Sequence, residues 1–144
     1  MNLYSIRLIT NDVDRLASFY EHVTHGERVQ TVEIFAEIYT ESALLAIGSS
    51  QTLLPFDGTD SLMPESNNSA ILEFRVNDVD AEYERLKDYL GVRVVQKPKS
   101  MPWGNRSLLV SDPDGTMVNL FTPVSPEAIE RWGSEDGGAA SLPR

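Results

Sequence analysis

The chain has no cysteine, only two histidines among 144 residues, and 12 basic residues against 22 acidic ones. Without cysteine there is no disulfide framework, no thiolate metal site and no cysteine nucleophile. The formal charge of −10 argues against sequence-independent nucleic-acid binding, which runs on clustered Lys and Arg, and against docking on anionic membrane surfaces. Apolar runs are far too short to span a bilayer, and the N-terminus lacks a basic region followed by an apolar stretch. A soluble, cytoplasmic protein is expected. What is present is ordinary: 41% hydrophobic and 24% charged residues, a composition that builds a globular core without staples. One compact domain, or two small modules fused tightly, fits the length.

An internal repeat favours the second. Asn11-Asp12-Val13-Asp14 returns as Asn77-Asp78-Val79-Asp80, 66 positions later. Each copy follows an apolar-rich stretch, Ile6 to Thr10 and Leu72 to Val76. Each precedes a helical pattern, a glycine one residue out of register (Gly26, Gly91) and a Val-rich segment. Four matching residues could arise by chance, but the matching flanks indicate duplication.

Each Asp-Val-Asp reads as a strand-to-helix junction, with Asp12 and Asp78 placed to accept from first-turn amides and Asp14 and Asp80 suited to the helix dipole. Apolar spacing predicts helices over 13–25 and 79–89, ended by the two glycines. Strands are expected at 28–34, 36–39, 43–47, 92–96, 106–110 and 117–121, with a possible short one at 52–55. Asp112-Pro113-Asp114-Gly115 is a turn signal. The expected organisation is a βαβββ module at 1–57, a linker at 58–69, a second βαβββ module at 70–123, and a C-terminal helix and frayed tail at 124–144. Ser125 and Pro126 open that last helix.

Two tandem modules of this kind resemble the vicinal oxygen chelate superfamily, to which glyoxalase I, extradiol dioxygenases and bleomycin-binding proteins belong. The most specific residues lie in the second half: Ile71–Asp80 before a helix, then Pro102-Trp103-Gly104-Asn105-Arg106, then Asp112-Pro113-Asp114-Gly115. The resemblance spans about residues 3–123. It implies an α+β fold whose two modules form a cup-shaped mixed sheet with helices outside, one binding site within the cup, and frequent dimers.

The resemblance also implies a divalent metal held by His or Glu. The usual first ligand lies seven residues before the strand-end Asp, which gives Ser5 and, in the second module, Ile71. The usual last-strand Glu lies four residues after the turn glycine, which gives Asn119. Its counterpart in the first module has no clear register, although 43–50 contains neither carboxylate nor imidazole. Isoleucine has no lone pair to donate, and a hydroxyl or amide alone holds a divalent ion weakly. His22 and His25 fall late in the first helix and read as solvent-facing residues near its C-terminus. No metal and no other cofactor is expected.

Strand alternation puts Arg7 on the face of Ser5, Glu73 and Arg75 on the face of Ile71, and Met117 and Phe121 on the face of Asn119. With Trp103 and Arg106 from the neighbouring loop and strand, the candidate ligand-binding residues are Arg7, Glu73, Trp103, Arg106, Met117, Asn119 and Phe121. Arginine offers a fork for a carboxylate or phosphate, and indole a stacking surface. Simpler readings stand beside these. Arg7 and Glu73 could form a plain ion pair, Trp103 could be a packed loop anchor, and Arg75, at a strand end, reads as solvated. The acidic pairs 12/14, 78/80 and 112/114 read as helix caps and turn formers. No phosphate loop, zinc-type His pair or Ser-His-Asp arrangement is present.

Two functions follow from different classes. One is a glyoxalase/bleomycin-resistance-like binding protein, a homodimer that holds a small organic molecule in its cup without metal; the acidic body suits a cationic ligand. The other is a lyase, isomerase or dioxygenase of the same fold, using a non-standard metal site or Glu73 as acid/base. Whether the chain is an enzyme stays open, with the binding protein preferred.

Overall fold

A computed structural model describes residues 1–133; the frayed tail expected beyond them lies outside the described residues. The first half runs β1 (Ser5–Ile9), α1 (Val13–Thr24), β2 (Glu27–Val32), β3 (Phe35–Tyr39) and β4 (Leu44–Gly48). The second runs β5 (Ile71–Arg75), α2 (Val79–Leu90), β6 (Val94–Ser100), β7 (Asn105–Ser111), β8 (Met117–Pro123) and α3 (Pro126–Trp132). The strands form two four-stranded mixed sheets, ordered β1-β4-β3-β2 and β5-β8-β7-β6. In each, the first strand lies parallel to the last and the remaining pairs are antiparallel. The fold is α+β, two βαβββ modules, and no described helix is long and apolar enough to cross a membrane. Contacts divide the chain into two units. One comprises Met1–Ser69 with Asp112–Thr116, the other Ala70–Ser111 with the described residues from Met117 on.

The repeated tetrapeptide caps both helices. Asp12 accepts from the Arg15 amide at 3.0 Å and Asp78 from the Ala81 amide at 3.1 Å, each satisfying a first-turn donor with no partner inside its helix. Helix α1 buries Leu16, Ala17, Phe19, Tyr20 and Val23, and α2 buries Val79, Leu86 and Leu90. These residues meet the inner faces of their sheets, Ala36, Ile38, Leu45 and Ile47 in the first unit and Leu72, Leu108, Val110, Val118 and Leu120 in the second, all buried.

Four expectations need correction. Helix α1 ends on His25 in the left-handed conformation (φ 56°), not on Gly26. Gly26 is required for space: a Cβ there would stand 2.6 Å from Ile38 Cγ2 and 2.7 Å from the Tyr39 carbonyl oxygen. The segment 52–55 contains no strand. Ser50–Leu53 is a 3-10 turn that begins when Ser49 Oγ accepts from the Gln51 amide at 3.2 Å, and the Thr52 hydroxyl donates to the Ser49 carbonyl at 2.7 Å. The strand expected at 92–96 starts later and runs further, because Gly91–Arg93 is a 3-10 turn; Pro98 is accommodated where the edge strand β6 breaks register between Gln96 and Lys99. Alternation, which sets Arg7 on one face, puts Ile6 with Leu8 on the other, under the helix, where both would be buried; Leu8 is, but Ile6 is 45% exposed.

Candidate functional site

The face of the second sheet turned away from α2 follows from register. Glu73 pairs with Asn119 and Arg75 with Phe121 on β5 and β8; Leu109 pairs with Asn119 and Ser107 with Phe121 on β7 and β8. Alternation adds Ile71, Met117, Asn105 and Ser111 to this face. Four of the residues picked out from sequence therefore share it: Glu73, Asn119, Met117 and Phe121. Asn119 donates through Nδ2 to Glu73 Oε2 at 2.8 Å. A carboxylate only accepts, so this bond fixes which end of the amide faces Glu73 and leaves Oδ1, a buried oxygen, as the end without a partner.

The face carries buried polar atoms without partners. Among the described residues these include Asn119 Oδ1, Ser107 Oγ and Asn105 Oδ1. Ser107 and Asn105 are only 5% and 6% exposed. A buried polar atom left unpaired costs about 1–3 kcal/mol, and three on one sheet face each call for a partner that the protein itself does not supply. Ile71, Met117, Leu109 and Phe121 supply apolar surface among them. Helix α3 closes one margin, with Trp132 edge-on to Phe121 (centroids 6.4 Å apart, 71°), the Arg131 guanidinium 4.6 Å above the indole and Arg75 Nη1 donating to the Trp132 carbonyl at 3.3 Å.

One candidate from sequence, Arg106, stands elsewhere. Arg106 pairs with Thr122 on the helix side of the sheet and forks onto Asp80, Nε to Oδ2 at 2.7 Å and Nη2 to Oδ1 at 3.0 Å. This pair holds the Asp80 carboxyl below, and the Arg106 guanidinium above, their ordinary ranges. Trp103 is 57% exposed in the loop before β7, so it is not a buried anchor. The anchor is its neighbour Gly104 (φ 96°), whose carbonyl accepts from the Val124 and Ser125 amides at 2.9 and 3.0 Å. Arg75, read as solvated, is engaged with the Trp132 carbonyl.

Arg7 lies in the first unit, on the face turned away from α1. Its guanidinium stands 5.4 Å from the Phe35 ring and 5.8 Å from the Phe56 ring, within cation–π range. Register places Glu37 opposite Ala46, and Ala46 opposite Arg7, so this face carries a carboxylate absent from the sequence candidates. Ser107, Asn105 and Trp132 were also missed. The first two needed the β7–β8 register, which the turn at 112–115 supplies in principle; Trp132 needed the return path of α3, for which the sequence carries no signal.

The Asp-Pro-Asp-Gly turn does more than reverse the chain. Asp112 Oδ1 accepts from the Asp114 and Thr116 amides at 2.8 and 2.9 Å, while Oδ2 accepts from the buried Tyr20 hydroxyl at 2.7 Å. Burial first, then the Asp112 charge, pushes the Tyr20 hydroxyl far above the ordinary tyrosine range. This is a structural tether between residues 92 apart.

The positions at which the resemblance implies metal ligands hold Ser5, Ile71 and Asn119. The parallel pairing of β1 with β4 identifies the remaining one: Arg7 faces Ala46 as Glu73 faces Asn119, so its occupant is Ala46. A hydroxyl, two hydrocarbons and an amide do not fit a divalent ion. Among the described residues no group of three or more His, Cys, Asp or Glu side chains could hold one.

The family model of the glyoxalase/bleomycin resistance protein/dioxygenase superfamily matches residues 2–120. The uncharacterized protein YraH of Bacillus subtilis strain 168 is 29% identical over 129 residues, covering 84% of this chain and 98% of that protein. A glyoxalase/bleomycin resistance protein/dioxygenase family enzyme from Burkholderia phytofirmans PsJN superposes with a TM-score of 0.74 at 13% identity, over 86% of this chain and 100% of that one. A lactoylglutathione lyase from Agrobacterium tumefaciens superposes with a TM-score of 0.64 at 20% identity, over 84% and 92%.

Proposed function

Because the chain belongs to the glyoxalase/bleomycin resistance protein/dioxygenase superfamily, we propose that it binds a small organic molecule without the help of a metal ion. The observation that carries this reading is the second sheet's outer face, where the orphaned Asn119 Oδ1, Ser107 Oγ and Asn105 Oδ1 stand among apolar side chains. Ligand sites combine a mostly apolar lining with a few fixed polar groups, and here the polar groups lack any partner in the protein. The donor set at the family's ligand positions supports the metal-free part of the proposal. A sheet face that supplied only packing would lose nothing if these polar residues were apolar.

The test is thermal. The protein, treated with a chelator and dialysed, is screened by its melting temperature against a panel of small organic compounds. A saturable rise for some compounds is expected, weakened in Ser107→Val. A rise that appears only after zinc, nickel or ferrous ion is restored would overturn the proposal.

The reading includes a second copy of the chain. Strand β1 is a sheet edge, and Leu3, Tyr4 and Ile6 around it are exposed apolar side chains, a surface that suits burial against a partner. Sedimentation at micromolar concentration is expected to show twice the 16.1 kDa chain mass. A species of one chain mass alone would remove this element.

A further inference from the structure

We infer that the outer face of the second sheet reads a hydrogen-bond-donating nitrogen, and best of all a protonated amine, on its ligand. The inference rests on the small-molecule reading above and adds the class of group recognised.

It follows from counting what the face offers. The Asn119 amide is oriented by its bond to Glu73 Oε2, so the end left without a partner is Oδ1, a buried acceptor with no donor. Ser107, diagonal to Asn119 across the β7–β8 pair, presents an oxygen that is also unmatched, and Asn105, two residues before it on the same face, a third. The Glu73 carboxylate beside them has the negative charge, and its hydrogen bond from Asn119 uses only part of its accepting capacity. A ligand that brought another carboxylate or carbonyl would set acceptor against acceptor. An ammonium brings three donors and a positive charge, enough for Asn119 Oδ1, Ser107 Oγ and Glu73 together.

The cations on the same face do not reverse this. The Arg75 guanidinium donates to the Trp132 carbonyl, and Lys99, which pairs with Ser107 from the edge strand β6, is exposed. Phe121 adds an aromatic ring, whose π face attracts a positive charge; one face of the neighbouring Trp132 indole is already taken by the Arg131 guanidinium.

The experiment uses three probes that share a phenyl body: benzylamine, benzyl alcohol and benzoate. Each is titrated into the uniformly labelled full-length protein, followed by amide and side-chain NMR shifts. Benzylamine is expected to move the Asn119 side-chain and Ser107 backbone signals at lower concentration than the other two. Asn119→Leu and Glu73→Gln are each expected to weaken it about tenfold and to leave benzyl alcohol nearly unchanged. The Glu73→Gln variant keeps the shape of the face, so its result stands even where Asn119→Leu folds poorly. Benzoate or benzyl alcohol binding at these residues as tightly as benzylamine would overturn the amine assignment and leave the small-molecule reading intact. Shifts from none of the three at millimolar concentration would overturn both.

Discussion

Asn119 presents an acceptor only because its nitrogen is committed to Glu73 at 2.8 Å. That kind of fact cannot be read from sequence, since an isolated asparagine offers both ends equally. Alternation alone put Glu73, Met117, Asn119 and Phe121 on one face; the partnerless state of Ser107 and Asn105 emerges only when every neighbour is in place. Tyr20 gives a second residue-scale consequence. Its spacing in α1 reads as core, yet its hydroxyl ends on Asp112 Oδ2 at 2.7 Å in a buried setting. Tyr20→Phe keeps the ring and strands that carboxylate oxygen without this donor, so unfolding in denaturant is expected to show a loss of about 1.5–3 kcal/mol. Asp114 behaves in the opposite sense. Burial raises its carboxyl, Glu65 and Asp112 raise it further, and a hydrogen bond with Thr10 only partly opposes them. A carboxyl raised in the fold binds its proton more tightly there than in the unfolded chain. Its favourable contribution is present at pH below the unfolded value and lost as pH rises through the folded one. At neutral pH the ionised side chain is therefore a cost. Asp114→Asn is expected to stabilise the protein slightly at pH 7, and the difference in melting temperature should vanish as the pH falls through the carboxylate range.

At the scale of elements, the repeated Asn-Asp-Val-Asp made both strand-to-helix junctions legible, because an N-cap is a local interaction written in one side chain and the amide three residues on. Gly91 ends α2 as its sequence suggests, but the C-terminus of α1 was less legible, for the converse reason. Gly26 had the composition of a C-cap, but its lack of a side chain answers a contact with Ile38 and Tyr39 from a strand 12 or more residues away, and His25 takes the left-handed turn instead. Helix α3 shows local and distant constraints meeting. Ser125 Oγ accepts from the Ala128 amide at 3.1 Å, as its sequence suggests, yet the helix is seated by Gly104. A Cβ at that glycine would lie 2.1 Å from Ser125 Oγ and 3.0 Å from Ala128 Cβ, at a φ of 96° that strains other residues. Gly104→Ala is expected to cost about 1–3 kcal/mol. Hydrogen exchange should locate the damage in α3, with the Ile129 amide exposed and the β7–β8 ladder still protected. Uniform loss of protection across the second unit would show instead that α3 is not a separable element.

At the scale of the whole molecule, duplication conserved the scaffold and released the chemistry. Both units order their strands alike and pair their first and last strands in parallel, and the shift of 66 residues maps Ser5 onto Ile71 and Arg7 onto Glu73. The mapped residues differ in each case, and Ala46 stands opposite Arg7 where Asn119 stands opposite Glu73. Scaffold positions are held by caps, turns and apolar period, which any copy must keep in order to fold. Positions on the outer faces are free of those constraints, and there the copies parted. Sequence therefore disclosed the architecture almost completely, and the face residues only through the architecture. A bound ion that holds a fold together must be ligated by deprotonated side chains whose removal from the metal costs folding energy. Ser5, Ile71, Ala46 and Asn119 offer no such set, so the stability of this protein is expected to be indifferent to metal. Thermal unfolding with and without excess chelator should give the same midpoint, and elemental analysis of protein purified without added salts should show no stoichiometric transition metal. A chelator-induced fall in the midpoint, reversed by one particular divalent ion, would mean that donors outside these four positions assemble a site, and the metal-free reading would have to be abandoned.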